Sequence, residues 1–85
     1  EIQPDIIFDS SSMTPQSLTI PLEPTSIIVY NNGSTINRFE ARLFRAEILV
    51  EVPPQSYEEI LLEPQVVGTV SFRINGVNMG HLRVE

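Results

Sequence analysis

The sequence predicts an all-β fold: a single domain over residues 1–85, built as a Greek-key β-sandwich of about seven short strands. Three observations predict it. Seven prolines, four glycines and several Asn/Ser clusters punctuate the 85 residues, with short apolar runs between them, the rhythm of a sandwich or barrel. No long stretch keeps a helical period. The best runs alternate apolar and polar residues, as half-buried strands do.

The elements follow in order. Ile6–Phe8 opens the first strand, and "SSSMTPQ" reads as a flexible surface loop with the character of a contact segment. Leu18–Ile20 is a short strand. Pro21 and Pro24 bracket a turn before Ser26–Tyr30, which is rich in β-branched residues. "NNGS" (Asn31–Ser34) is a turn, because Asn-Gly supplies positive φ cheaply. Its Asn32-Gly33-Ser34 also matches a glycosylation sequon, but the turn explains the residues fully. Ile36–Glu40 follows, and "EARLFRA" is the one stretch expected to form a short helical turn. Ile48–Val52 sets Ile48, Val50 and Val52 on one face and Leu49 and Glu51 on the other. Pro53-Pro54 ends it, since proline cannot continue a ladder. Glu58–Leu62, Thr69–Ile74 and Leu82–Val84 complete the set.

The closing "GTVSFRINGVNMGHLRVE" poses a register problem. A two-residue Asn75-Gly76 turn pairs Ile74 with Val77 and Phe72 with Met79. Continued, that register buries His81 and exposes Leu82 and Val84, which is the wrong way round. One extra residue reverses the parity, so a β-bulge is expected within Met79–His81, with Gly80 its natural site.

Composition excludes several activities. The net charge is −6, and all five basic residues are arginine. A chain this acidic lacks the basic footprint that nucleic acid or an anionic membrane surface requires. No apolar run is long enough to span a bilayer as a helix, so no membrane insertion is expected. There is no cysteine and one histidine, which is compatible with either redox compartment. The first residue is Glu1 rather than Met, which reads as a processed product or an excised domain.

The ordered landmarks resemble the cupredoxin family. "MTPQSLTIPLEPTSIIVYNNGS" is similar to the first half of that fold, and "INRFEA" to the strand that carries its first copper histidine. "VEVPPQSYEEILLEPQVVGTVSFRI" resembles the middle hairpin and the following strand, and "MGHLRVE" the closing strand. Phe39-Glu40-Ala41, followed by Arg42, Arg45 and Glu47, is similar to small bacterial periplasmic cupredoxins tied to iron and copper handling. The resemblance implies fold and an extracytoplasmic (periplasmic) location. It places the family's first histidine at about Asn37, its cysteine at Ile74 and its axial methionine at about Asn78. A type 1 copper centre needs a thiolate and two imidazoles, so within this sequence that centre is impossible, and no cofactor is expected.

Other groupings offer weaker chemistry. Met79 and His81, joined by Met13 or Glu40, form a candidate soft-metal site for copper or iron. The competing reading makes His81 a solvent-facing strand residue and Met79 a core filler beside Phe72. Glu47, Glu51, Glu58, Glu59 and Glu63 suggest a cation-binding face, but without a calcium-loop pattern they read better as a solvated face guarding sheet edges. Glu40 is expected to pair with Arg42 or Arg45 at the surface. No acid/base pair or activated nucleophile is present, so the protein is not expected to be an enzyme.

The functional expectation is therefore a non-catalytic extracytoplasmic accessory or protein-interaction module, in metal uptake or an electron-transport assembly. Its contact surface would be a sheet edge or the loop end near Asn37 and Asn75, and its partner a protein. The alternatives are a weak metal-binding protein and an immunoglobulin-like structural module of a larger chain.

Overall fold

The computed structural model describes residues 3–43 and 46–85. Among these residues nine strands form two stacked sheets: β1 (Ile6–Phe8), β2 (Met13–Thr14), β3 (Ser17–Ile20), β4 (Thr25–Asn31), β5 (Asn37–Leu43), β6 (Ala46–Val52), β7 (Ser56–Leu62), β8 (Gly68–Ile74) and β9 (Val77–Val84). One sheet has the order β2-β1-β4-β7 and the other β3-β9-β8-β5-β6. Two pairings are parallel, β1 with β4 and β3 with β9, and the rest are antiparallel. The all-β sandwich is as expected, with more strands than the seven counted from sequence.

Alternation drives the layers together. Ile6, Phe8, Ile27, Val29, Ile60 and Leu62 face inward from the first sheet, and Phe39, Ala41, Val52, Phe72, Ile74, Leu82 and Val84 from the second. Phe39 stands between Phe8 and Phe72, with ring centroids 5.5 and 5.1 Å away. Burying each such ring contributes about 2–3 kcal/mol, and tilted rings within this range add a further fraction. On β6 the apolar–acidic alternation holds: Val52 is buried, Ile48 and Val50 half-buried, and Leu49 and Glu51 exposed.

Three expectations need correction. The "SSSMTPQ" segment contains β2, whose Met13 is buried. It is reached by a hairpin loop in which the Asp9 carboxylate accepts bonds from the backbone N–H groups of Ser11 (2.8 Å) and Ser12 (2.9 Å). Glu40 to Leu43 of "EARLFRA" continue β5 instead of forming a helical turn. Leu43 pairs with Ala46, and Phe44 and Arg45 lie outside the described residues. Cross-strand pairing with β6 and β8 overrides the weak local helical pattern. The Asn31–Ser34 turn uses no positive φ; Asn31 Oδ1 closes it by accepting the Gly33 N–H at 2.9 Å. Among the described residues positive φ values fall instead at Gln55 (56°) in the β6–β7 connection, at Gly68 (146°) opening β8, and at Asn75 (54°) and Gly76 (85°), the backbone of the β8–β9 turn.

The bulge is present. Ile74 pairs with Val77 and Arg73 with Asn78, but Phe72 pairs with Gly80, leaving Met79 as the extra residue. The expected Phe72–Met79 pairing is thus displaced by one residue. His81 is exposed, and Leu82 and Val84 are buried, as the parity argument requires. Gly80 faces inward at a close crossing. A Cβ there would lie 2.5 Å from Met13 Sδ and 2.7 Å from the Gln16 carbonyl oxygen. The chain passing from β2 to β3 runs over this point, and the His81 N–H binds the Gln16 carbonyl at 2.8 Å.

Candidate functional site

At one pole of the sandwich three connections meet: β4–β5, β6–β7 and the β8–β9 turn. Asparagines tie them together. Asn31 ends β4 with the inward parity of Ile27 and Val29 and is fully buried. Its Nδ2 donates to the carbonyls of Thr35 and Val52, both at 2.8 Å, and more weakly to Pro53 at 3.2 Å. Its Oδ1 accepts from the Gly33 N–H and from Asn37 Nδ2 at 3.0 Å. Asn37 opens β5, also buried, and its Oδ1 accepts from Asn75 Nδ2 at 3.0 Å. Asn75 Oδ1 in turn accepts the Arg38 N–H at 2.8 Å, while its own N–H donates to the Arg38 carbonyl at 2.9 Å.

Backbone groups at both ends of this chain fix the amide orientations. The Gly33 N–H needs an oxygen from Asn31, and the Arg38 N–H needs one from Asn75. Only one arrangement of the three side chains satisfies both. Gln55 adds a second lace. Its N–H donates to the Asn31 carbonyl, its Nε2 reaches the carbonyls of Asn32 and Gly33, and its Oε1 accepts the Tyr30 hydroxyl at 2.9 Å. Among the described residues no buried side-chain polar atom lacks a partner. Such a network is neutral and fully used, so it fastens loops and offers no group for proton transfer.

The positions where the resemblance puts copper ligands converge only in part, and they do not suit the metal. Asn37 and Asn75 meet, with Ile74 beside them at the end of β8. Asn37 spends both amide atoms on its neighbours, and Ile74 is a buried aliphatic side chain. Asn78 lies on the outer face, where its Nδ2 donates to Ser71 Oγ at 3.0 Å. Copper has no soft donor at this pole.

The other candidates meet only in part. Met13 Sδ lies against Gly80, between Met79 and His81, and both methionines pack on the core side, but His81 is exposed on the outer face of the second sheet. Glu40 is paired with Arg38, its Oε2 accepting from Nε at 2.7 Å, and Arg42 reaches Glu47 at 3.4 Å. The expected Glu40–Arg42 pair is therefore replaced, and Arg45 lies outside the described residues. Glu47 and Glu51 lie on β6, and Glu58 and Glu59 on β7 in the other sheet. No group of three or more metal-ligating His, Cys, Asp or Glu side chains occurs among the described residues. Sequence reading missed Asn31 and Gln55. The signal for Asn31 was available: a polar residue in the inward parity of a strand end.

No family model matches the sequence, and no curated protein matches it significantly. Solved structures do match. The chain is similar to a purple cupredoxin from Nitrosopumilus maritimus, with 16% identity, a TM-score of 0.62, and coverage of 94% of this chain and 97% of that one. It is similar to a reduced tyrosine-for-tryptophan variant of amicyanin, with 13% identity, a TM-score of 0.69, and coverage of 100% and 86%. A Cu(I) form of an alanine-for-methionine amicyanin variant gives 13% identity and a TM-score of 0.68. The fold is therefore cupredoxin-like, which displaces the immunoglobulin-like alternative, and this chain has that fold without the type 1 copper ligands.

Proposed function

We propose that this cupredoxin-fold domain is a non-catalytic, extracytoplasmic accessory or protein-interaction module, of the kind used in a metal-uptake or electron-transport assembly. One observation carries the reading: the pole that would hold copper is closed by the Asn31–Asn37–Asn75 network. The scaffold is kept and the redox chemistry is not. A rigid sandwich with laced loops presents surfaces at low entropic cost, which suits recognition. The likeness to copper proteins supports the assembly context and the location by analogy of fold.

Calorimetric titration with copper and iron ions at micromolar protein tests the reading. The expected result is no saturable heat. Saturable heat that disappears in a Met79→Leu or His81→Ala variant would replace the reading with a weak metal-binding protein.

A further inference from the structure

We propose that the outer face of the β2-β1-β4-β7 sheet docks an apolar segment of a partner protein flanked by Lys or Arg. The inference rests on the interaction-module reading and names its surface and the partner's chemistry.

The strand registers set Thr14, Ile7, Tyr30 and Tyr57 side by side across all four strands. Their neighbours Ile6, Phe8, Val29 and Asn31 point inward, so this row points outward. Ile7, Tyr57 and Leu61 are 42, 48 and 54% exposed. Pro4, Ile7, Tyr30 and Tyr57 line a shallow, largely apolar depression of about 330 Å³. Tyr30 is held in place through its hydroxyl bond to Gln55. Ordered tyrosines beside aliphatic side chains are the residue types that carry binding energy at interfaces.

Charge decides the occupant. The four strands and their flank carry Asp5, Asp9, Glu58 and Glu59 and no basic residue. Every described arginine, Arg38, Arg42, Arg73 and Arg83, lies on the other sheet, as does His81. The ion pairs among the described residues are Arg38–Glu40, Arg42–Glu47 and Arg83–Glu85, none of them on this face. Glu59 sits opposite Ile28 in the row next to Tyr30–Tyr57, and the Asp5 carboxylate holds the Ile28 N–H at 2.8 Å. The depression is thus apolar with a carboxylate rim. A second copy of the chain would set carboxylates against carboxylates. Glu58, with the inward parity of Ile60 yet exposed at the edge strand β7, guards that edge against self-pairing. Cations beside an apolar core complement both features.

The test is an NMR titration of the intact domain with three synthetic peptides: a Val/Leu core flanked by lysines, the same core flanked by glutamates, and a Ser/Gly core flanked by lysines. The expected result is saturable binding of the first alone, with shifts centred on Ile7, Tyr30, Tyr57 and Leu61 and weakening as salt rises. Tyr57→Ser should weaken it about tenfold. Glu59→Lys should move the preference toward the glutamate-flanked peptide. Both sites are exposed, and unchanged amide spectra confirm folding. No binding, equal binding of all three peptides, self-association through this face, or shifts centred on Ile36 and Val77 at the amide-laced pole would overturn the proposal. Binding at that pole would leave the interaction-module reading standing; that reading fails separately, on saturable metal binding in the calorimetric titration.

Discussion

Asn37 donates through Nδ2 to Asn31 Oδ1 at 3.0 Å, with both side chains fully buried. This contact joins the end of β4 to the start of β5, and it occupies the position that the cupredoxin resemblance assigns to a copper histidine.

Removing members of this network should destabilise in a set order. Asn37→Ala leaves Asn75 Nδ2 without its side-chain acceptor and costs about 2 kcal/mol. Asn31→Ala strips partners from Gly33, Thr35, Val52 and Asn37 together, and costs about 3 kcal/mol or more. Urea unfolding measures both. Equal, near-zero costs would mean that water replaces these amides freely.

Gly80→Ala should cost about 2 kcal/mol, because the added Cβ meets both Met13 Sδ and the Gln16 carbonyl. Shortening Met13 to Ala removes only the first obstacle. The double variant should therefore stay less stable than Met13→Ala alone in the same unfolding assay. Equality of the two would show that the backbone crossing yields.

Asp9 gives a pH signature. The Ser11 N–H and then the Ser11 hydroxyl hold its carboxyl below the ordinary 3.8; desolvation opposes them, and the Ser12 hydroxyl and N–H each add a smaller lowering. A carboxyl depressed by folding adds stability that is fully present above 3.8. That stability is lost as pH falls through the lower folded value. Stability-versus-pH curves of Asp9→Asn should therefore be flatter than wild type between 3.8 and the lower folded value, and run parallel to wild type above 3.8.

His81→Ala should be neutral, within about 0.5 kcal/mol, since His81 is an exposed residue on an outer sheet face. The heat of copper addition should also be unchanged. A loss of either kind would show that His81 has a partner or a metal.

Much of this was legible from sequence because it follows from parity. Alternation located Ile48, Val50 and Val52, and the conflict between His81 and Leu82 located the bulge. The amide network was not legible, because it depends on which loops meet at the pole. Nothing local to Asn31 specifies Val52 as its acceptor, far along the chain. The charge-free-of-cations face has the same origin: Ile7, Tyr30 and Tyr57 become neighbours only through the β1–β4 and β4–β7 registers. The "EARLFRA" segment misled because its local pattern is helical, while Glu40–Leu43 pair in a hairpin with β6 and, through Glu40 and Ala41, with the remote strand β8.

The closed pole is tested most directly by the NMR behaviour of the Asn31 and Asn37 side-chain amides, with and without Cu(II). Their protons should be protected from exchange, with no selective paramagnetic broadening at the pole. Rapid exchange of those protons, or broadening by Cu(II) centred on Asn37 and Ile74, would contradict it.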